Sequence, residues 1–160
     1  MLHWLAALGE SRVELLLDGP GARGLVRNYA SRLPALTECL GQARALGTSV
    51  AARHACSAVV RVRLMFLVAR AEVLLKQASE AGAQGAVAEK AARGVQQMAR
   101  VIRTQMLLSS GITVAAQDYF EVASGAIDHV FAWIDDSGIQ LKQAGSGYSH
   151  GSQLLHLRRV

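Results

Sequence analysis

The chain has 160 residues and a formal net charge of +5 at pH 7; 51% of its residues are apolar and only 5% are aromatic. This length suits one domain with its own core, and two prolines among many Ala, Leu, Val, Gln and Arg residues favour long helices over a sheet. The most apolar stretch, 64–69, is far shorter than the roughly 18 to 20 residues of a membrane helix, so a core helix is predicted there. Cys39 and Cys56 lack metal-ligand spacing and are predicted to be buried thiols without a bridge.

The first two predicted helices cover 2–17 and 22–46. The first ends at Asp18-Gly19-Pro20-Gly21, because glycine and proline together break helices. Pro34 is predicted to mark a kink or a restart, since proline fits the first turn of a helix but not its interior. The apolar residues of the second helix recur at alternating steps of three and four, which is typical of one helical face: Val26, Tyr29, Leu33, Leu36, Leu40 and Ala43.

A third helix is predicted over 50–81. Gly47 is expected to stop the preceding helix, with Thr48 or Ser49 as the N-cap of this one. The predicted core stripe again steps by four and three: Ala55, Val59, Val62, Phe66, Ala69 and Val73.

The fourth and fifth helices follow the turn at 82–85. The fourth runs to about Leu108, the segment 109–113 breaks it, and Thr113 is expected to cap the last long helix. The predicted core positions are Val87, Ala91, Val95, Met98, Ile102 and Gln105 on the fourth helix, and Phe120, Ala123, Ile127, Val130, Ile134 and Leu141 on the last.

Four such stripes joined by short turns predict an all-α fold, an antiparallel four-helix bundle with a short N-terminal helix. Residues 1–144 form the predicted domain. Residues 145–160 are rich in Gly and Ser and are predicted to be a flexible tail.

Charge is distributed unevenly between the helices. The 50–81 helix is rich in arginine, whereas the last helix is rich in aspartate and glutamate. One interpretation is that Arg61, Arg63 and Arg70 pair with Asp118, Glu121 and Asp128; another is a basic surface for nucleic acid. The modest net charge and the lack of interleaved aromatic residues disfavour nucleic acid.

The side-chain patterns of common enzymes and metal sites are missing from the sequence. None of the five histidines has a glutamate three residues before it, as a di-iron bundle requires, and paired Cys or His ligands at zinc spacing are lacking. There is no nucleophile elbow and no phosphate-binding loop. The sequence therefore predicts a protein that is not an enzyme and needs no cofactor or metal.

Two strings carry a resemblance to a known family. Leu33-Pro34-Ala35-Leu36, Glu38 and the run Leu40 to Gly47 match "LPxLxExLGQxRALG", and Tyr119 to Asp128 matches "YFxxATxAID". Both strings resemble the helical extracytoplasmic sensor regions of bacterial transmembrane receptors: methyl-accepting chemotaxis proteins, sensor histidine kinases and membrane-bound diguanylate cyclases. The resemblance covers roughly 15–142. The matching positions are Asp18, Leu33, Pro34, Glu38, Gly41, Arg44, Gly47, Tyr119, Phe120, Ile127 and Asp128.

The chain departs from the family where relatives carry "DSYYLMD". The paired tyrosines of that segment are absent, and Arg23 to Asn28 stand in their place. If those tyrosines contact a ligand or transmit a signal, this chain has lost or changed that feature.

The resemblance implies a non-enzymatic, dimeric sensory domain that binds a small molecule. Relatives are anchored in a membrane, which implies a periplasmic location for a receptor fragment; a stand-alone chain without a signal peptide would be cytoplasmic. The candidate ligand-binding residues are Arg61, Arg63 and Arg70, because arginine offers forked donors to a carboxylate. The alternatives are a stand-alone module whose partner is a protein helix, and a basic bundle associated with nucleic acid.

Overall fold

A computed structural model describes residues 20–81, 85–108 and 110–157, with side chains described as far as Gly145. These residues are all-helical and include no strand, as predicted. The helix predicted over 2–17 and the motif residue Asp18 lie outside the described residues. The α-helices of the described residues are α1 (Pro20–Arg27), α2 (Leu33–Arg53), α3 (Ala58–Ala81), α4 (Ala86–Val101) and α5 (Ala116–Leu157); π-helical turns occupy Asn28–Arg32 and Ile102–Leu107.

The first π-helical turn explains the place of Pro34. The Leu33 N–H donates to the carbonyl of Asn28, five residues back, and Pro34 follows in the first turn of α2. A wide turn before the proline accommodates a residue that has no N–H to donate. The α-helix therefore restarts at this point, as predicted.

The predicted boundaries of α2, α3 and α5 need correction. Gly47 does not end a helix; α2 continues to Arg53 and ends at His54, whose φ of 53° is left-handed. α3 begins at Ala58, so Thr48 and Ser49 cap nothing, and α5 begins at Ala116 rather than after Thr113. The backbone of α5 also stays helical across the predicted tail to Leu157. Glycine weakens a helix by roughly 1 kcal/mol per residue, but unlike proline it does not break the hydrogen-bond ladder.

α5 lies between α2 and α4 and packs closely against both. α3 packs against α2 and more sparsely against α4, and its backbone does not come close to that of α5. Two buried hydrogen bonds join α3 to the chain before it: Cys39 Sγ donates to the Leu67 carbonyl at 3.1 Å, and Asn28 Nδ2 donates to the Ala78 carbonyl at 2.9 Å. Of these two bonds, the one made by the later residue, Cys39, reaches the earlier position on α3. The chain before α3 and α3 itself therefore run in opposite directions, so α2 and α3 are antiparallel.

The predicted core positions are largely buried on α2, α4 and α5. Tyr29 is an exception because 44% of it is exposed, and Phe120 is 42% exposed. Ile127 is 6% exposed, which confirms its predicted burial. In the second π-helical turn, directly after α4, the exposed Gln105 is replaced in the core by Met106, because this turn shifts the buried face by one residue.

The predicted core stripe of α3 is wrong. Phe66 is 60% exposed, and every other member of the stripe except the loop residue Ala55 lies with it on the outer face of the helix. The buried face of α3 lies on the opposite side and consists of Leu64, Leu67, Val68, Ala71, Leu75 and Ala78. Apolar residues occupy both sides of this helix. The periodic stripe in the sequence therefore identified an apolar face, but this face is the exposed one.

Candidate functional site

The two family-like strings meet where α2 packs on α5. The ring of Tyr119 is fully buried and lies directly on Gly47, where any side chain would collide with it. The Tyr119 hydroxyl donates to the Ala43 carbonyl at 2.6 Å. Gly47 is therefore required for the close approach of an aromatic ring rather than for the end of a helix. Burial also raises the pKa of the Tyr119 hydroxyl well above its ordinary value.

Arg44 adds a second contact between the strings. Its Nη1 donates to Ser124 Oγ at 3.0 Å, and its Cζ lies 4.9 Å from the centre of the Phe120 ring. A guanidinium over an aromatic face is attracted by the ring quadrupole. We call this set, Ala43, Arg44, Gly47, Tyr119, Phe120 and Ser124, the motif junction.

The remaining family-like residues divide into core and surface. Leu33 and Ile127 are buried in the core, whereas Pro34, Glu38 and Asp128 are exposed. Gly41 is half-buried, and a Cβ there would meet nothing within 4 Å. The buried members of both strings thus hold α2 to α5, which is a structural role.

The three arginines predicted to bind a ligand are not buried and do not converge. Arg61 Nη1 donates to the Leu107 carbonyl at 3.2 Å and Arg63 Nη2 donates to Gln42 Oε1 at 3.3 Å, while Arg70 is exposed. Their predicted pairing with acids of the last helix is also wrong, because none of the three forms an ion pair with Asp118, Glu121 or Asp128.

A groove of about 370 Å³ lies between α4 and α5. Gly94 faces the backbone of Ala126 so closely that a Cβ on it would lie 3.2 Å from the Ala126 Cα. Gly125 also lines the groove, and a Cβ there would meet open space. Because neither glycine has a side chain, the groove between the helices remains open. Its lining residues are Lys90, Arg93, Gly94, Gln97, Glu121, Val122, Gly125, Ala126 and His129.

The groove is predominantly basic. Lys90 and Arg93 make no hydrogen bond or ion pair with any residue that the structure describes, and neither does His129. Glu121 accepts a hydrogen bond from Gln117 Nε2 at 3.0 Å, one turn away. An anion in this groove would therefore meet two exposed cationic side chains that have no competing partner among the described residues.

Sequence reasoning missed this groove because its signal is weak. Lys90, Arg93 and Gln97 share one face of α4, and Gly94 stands in the helix interior, where glycine is unfavourable. Gly94 beside a basic helical face was the signal in the sequence that indicated a site. Nothing in the sequence shows that Gly125 of another helix lies across the groove from that face.

The chain matches none of the protein families, curated proteins or solved structures with which it was compared. Among the described residues no His, Cys, Asp and Glu side chains group together to hold a metal ion. Among the described helices, none combines the length and the apolar composition of a transmembrane segment.

Proposed function

We propose that the chain is a non-enzymatic sensory domain of a bacterial signal-transduction receptor, similar to those of chemoreceptors, and that it binds a small organic anion in the groove between α4 and α5. Its core helices α2 to α5 form an antiparallel four-helix bundle. In a membrane-anchored receptor such a domain works on the periplasmic side.

The observation that carries this proposal is the double engagement of α5. One face of α5 is held to α2 by the motif junction, through Tyr119, Phe120 and Ser124. An adjacent face, with Val122, Gly125 and His129, borders the groove. A ligand between α4 and α5 would favour one position of α5 over another, and small shifts of a packed helix are enough to transmit a signal.

The groove sets the class of ligand. The volume of this open groove, about 370 Å³, lies at the lower end of the range of small-molecule sites. Lys90 and Arg93 would contact a carboxylate or phosphate, and Gln97 and Glu121 would contact hydroxyl or amino groups. Organic acids and amino acids fit this lining better than apolar molecules.

A thermal-shift screen of organic acids and amino acids on the full chain tests the proposal. A compound at one hundred times its dissociation constant should raise the free energy of unfolding by about 2.7 kcal/mol. Arg93→Gln and Lys90→Gln should abolish the shift, whereas Arg100→Gln on the same helix should retain it. Failure of every compound in the panel, or an equal shift in all three variants, would contradict the anion-sensing proposal.

A second candidate is a stand-alone module that binds a protein helix. The exposed apolar face of α3 favours it, because such a face is a recurrent docking surface for amphipathic helices. A membrane span or a signalling domain encoded next to the chain would favour the receptor over this module.

A third candidate is nucleic-acid binding. It requires a salt-dependent mobility shift of DNA. The hydrogen bonds of Arg61 and Arg63 within the chain disfavour it.

A further inference from the structure

The outer face of α3 is apolar, exposed and regular. Val59 is 79% exposed, Val62 66% and Phe66 60%, and exposed Ala69 and Val73 continue the same line. We call these five residues the α3 face. From Val59 to Val73 it is about 21 Å long at 1.5 Å per residue. No described residue of the chain covers it, and monomeric soluble proteins rarely expose a continuous apolar stripe of this length.

We propose that the α3 face is a self-association surface, on which two copies of the chain pair through parallel α3 helices about a two-fold axis. The steps of the stripe are three, four, three and four, which is the spacing of a coiled-coil seam. In a parallel pair each residue of the seam meets its own counterpart. The large Phe66 layer then lies next to the small Ala69 layer, so their volumes compensate along the seam.

The charged side chains beside the stripe select the orientation. Arg63 and Arg70 are exposed and flank one side of it; Met65 flanks the other, together with Glu72, whose two carboxylate oxygens accept hydrogen bonds from Arg103 of the same chain. In an antiparallel pair centred near Phe66, Arg63 of each copy would face Arg70 of the other, which places like charges together twice. In a parallel pair Arg70 of one helix lies opposite Met65 of its neighbour, so this repulsion is absent.

The seam also has a defined C-terminal end. Lys76 and Glu80 continue the line of the stripe beyond Val73, and both are exposed. Identical charges would meet at these positions in a parallel pair, so the contact stops at Val73. Such an interface is isologous, uses one patch on each copy and closes at two chains instead of growing into a filament. This proposal does not depend on the anion groove, because α3 lines no part of it.

Sedimentation velocity of the full chain, from low micromolar to near-millimolar concentration, tests the association. The wild type should form a dimer reversibly, and Phe66→Lys should remain monomeric with an unchanged circular-dichroism spectrum. Phe131→Lys is the matched control, because Phe131 is 51% exposed on α5, and it should still dimerise. A wild type that stays monomeric throughout would overturn self-association and leave a foreign helix as the occupant. A Phe66→Lys variant that still dimerises would place the interface elsewhere.

Disulfide trapping tests the orientation. Val73→Cys in a Cys56→Ser background leaves buried Cys39 as the other thiol. Two parallel helices place the new cysteines opposite each other, within disulfide distance; an antiparallel pair separates them by about 20 Å along the axis. Rapid formation of a covalent dimer with oxidised glutathione is the expected result. A variant that dimerises by sedimentation but does not cross-link would overturn the parallel arrangement.

Discussion

At the scale of single residues, two glycines of α2 show what the sequence determines and what it leaves open. Gly41 and Gly47 look alike in the string "LGQARALG", and one of them was predicted to end a helix. In the structure both are in the helix interior, but only Gly47 lies against an aromatic ring. The reason for that glycine is Tyr119, 72 positions away, and no local pattern reveals such a contact.

Gly47→Ala should destabilise the protein, although alanine is the better helix former. The added Cβ would collide with the Tyr119 ring, which is held by its hydroxyl bond to Ala43. Overpacking of this kind costs about 1 to 3 kcal/mol. Gly41→Ala is the matched control on the same helix, where a Cβ meets nothing within 4 Å, and it should stabilise by up to about 1 kcal/mol. Urea unfolding measures both; equal effects would contradict the packing of Tyr119 on Gly47.

Tyr119 should also make stability depend on alkaline pH. Burial raises the pKa of its hydroxyl in the folded state, whereas an unfolded tyrosine ionises near pH 10. The unfolded state then loses a proton that the folded state keeps, so stability is complete below about pH 10 and falls as the pH rises further. One such group contributes a slope of about 1.4 kcal/mol per pH unit.

Tyr119→Phe isolates this contribution. The variant should lose about 0.5 to 1.5 kcal/mol at neutral pH, because the bond to the Ala43 carbonyl disappears. Above pH 10 its free energy of unfolding should fall less steeply than that of the wild type. Burial also raises the pKa of Cys39, but that background is common to both proteins. Parallel curves above pH 10 would show that Tyr119 does not retain its proton in the folded state.

At the scale of helices, periodicity predicted the elements and most of their buried faces, but it failed where a helix is apolar on two sides. α3 carries one stripe through Phe66 and another through Leu67, and both have helical spacing. The choice between them depends on α2, whose Cys39 bonds to the Leu67 carbonyl. The groove between α4 and α5 was hidden for a related reason, because Lys90 and Gly125 become neighbours only after α4 packs on α5.

A pair of adjacent substitutions tests the rotation of α3. Leu67 is 4% exposed, so Leu67→Ala should cost about 2 to 5 kcal/mol. Phe66 is 60% exposed, so Phe66→Ala should change stability by less than about 1 kcal/mol when measured at a protein concentration too low for self-association. The reverse order of the two effects in chemical denaturation would restore the stripe that the sequence predicted.

At the scale of the whole molecule, the helices differ in how closely they pack against the rest of the chain. α5 has close packing on two sides, from α2 through the motif junction and from α4 beside the groove, while α3 relies mainly on α2. The outer face of α3 has no cover within the described chain. The element proposed to carry the signal is thus the one most firmly integrated, and the element proposed to associate is the one with least support from its own chain.

Native-state amide hydrogen exchange should reveal this difference. Local openings have free energies that range from near zero to the global value, and sparsely packed segments open first. In the monomeric Phe66→Lys variant, the amides of α3 should exchange through openings of lower free energy than those around Ala123 and Val130 in α5. Both of these α5 residues are fully buried. In the wild type at high concentration, pairing through the α3 face should raise the protection of α3 and leave the centre of α5 unchanged. If α3 and α5 exchange with equal free energies in the monomer, the chain opens only as a unit, and α3 is held more strongly than its contacts indicate.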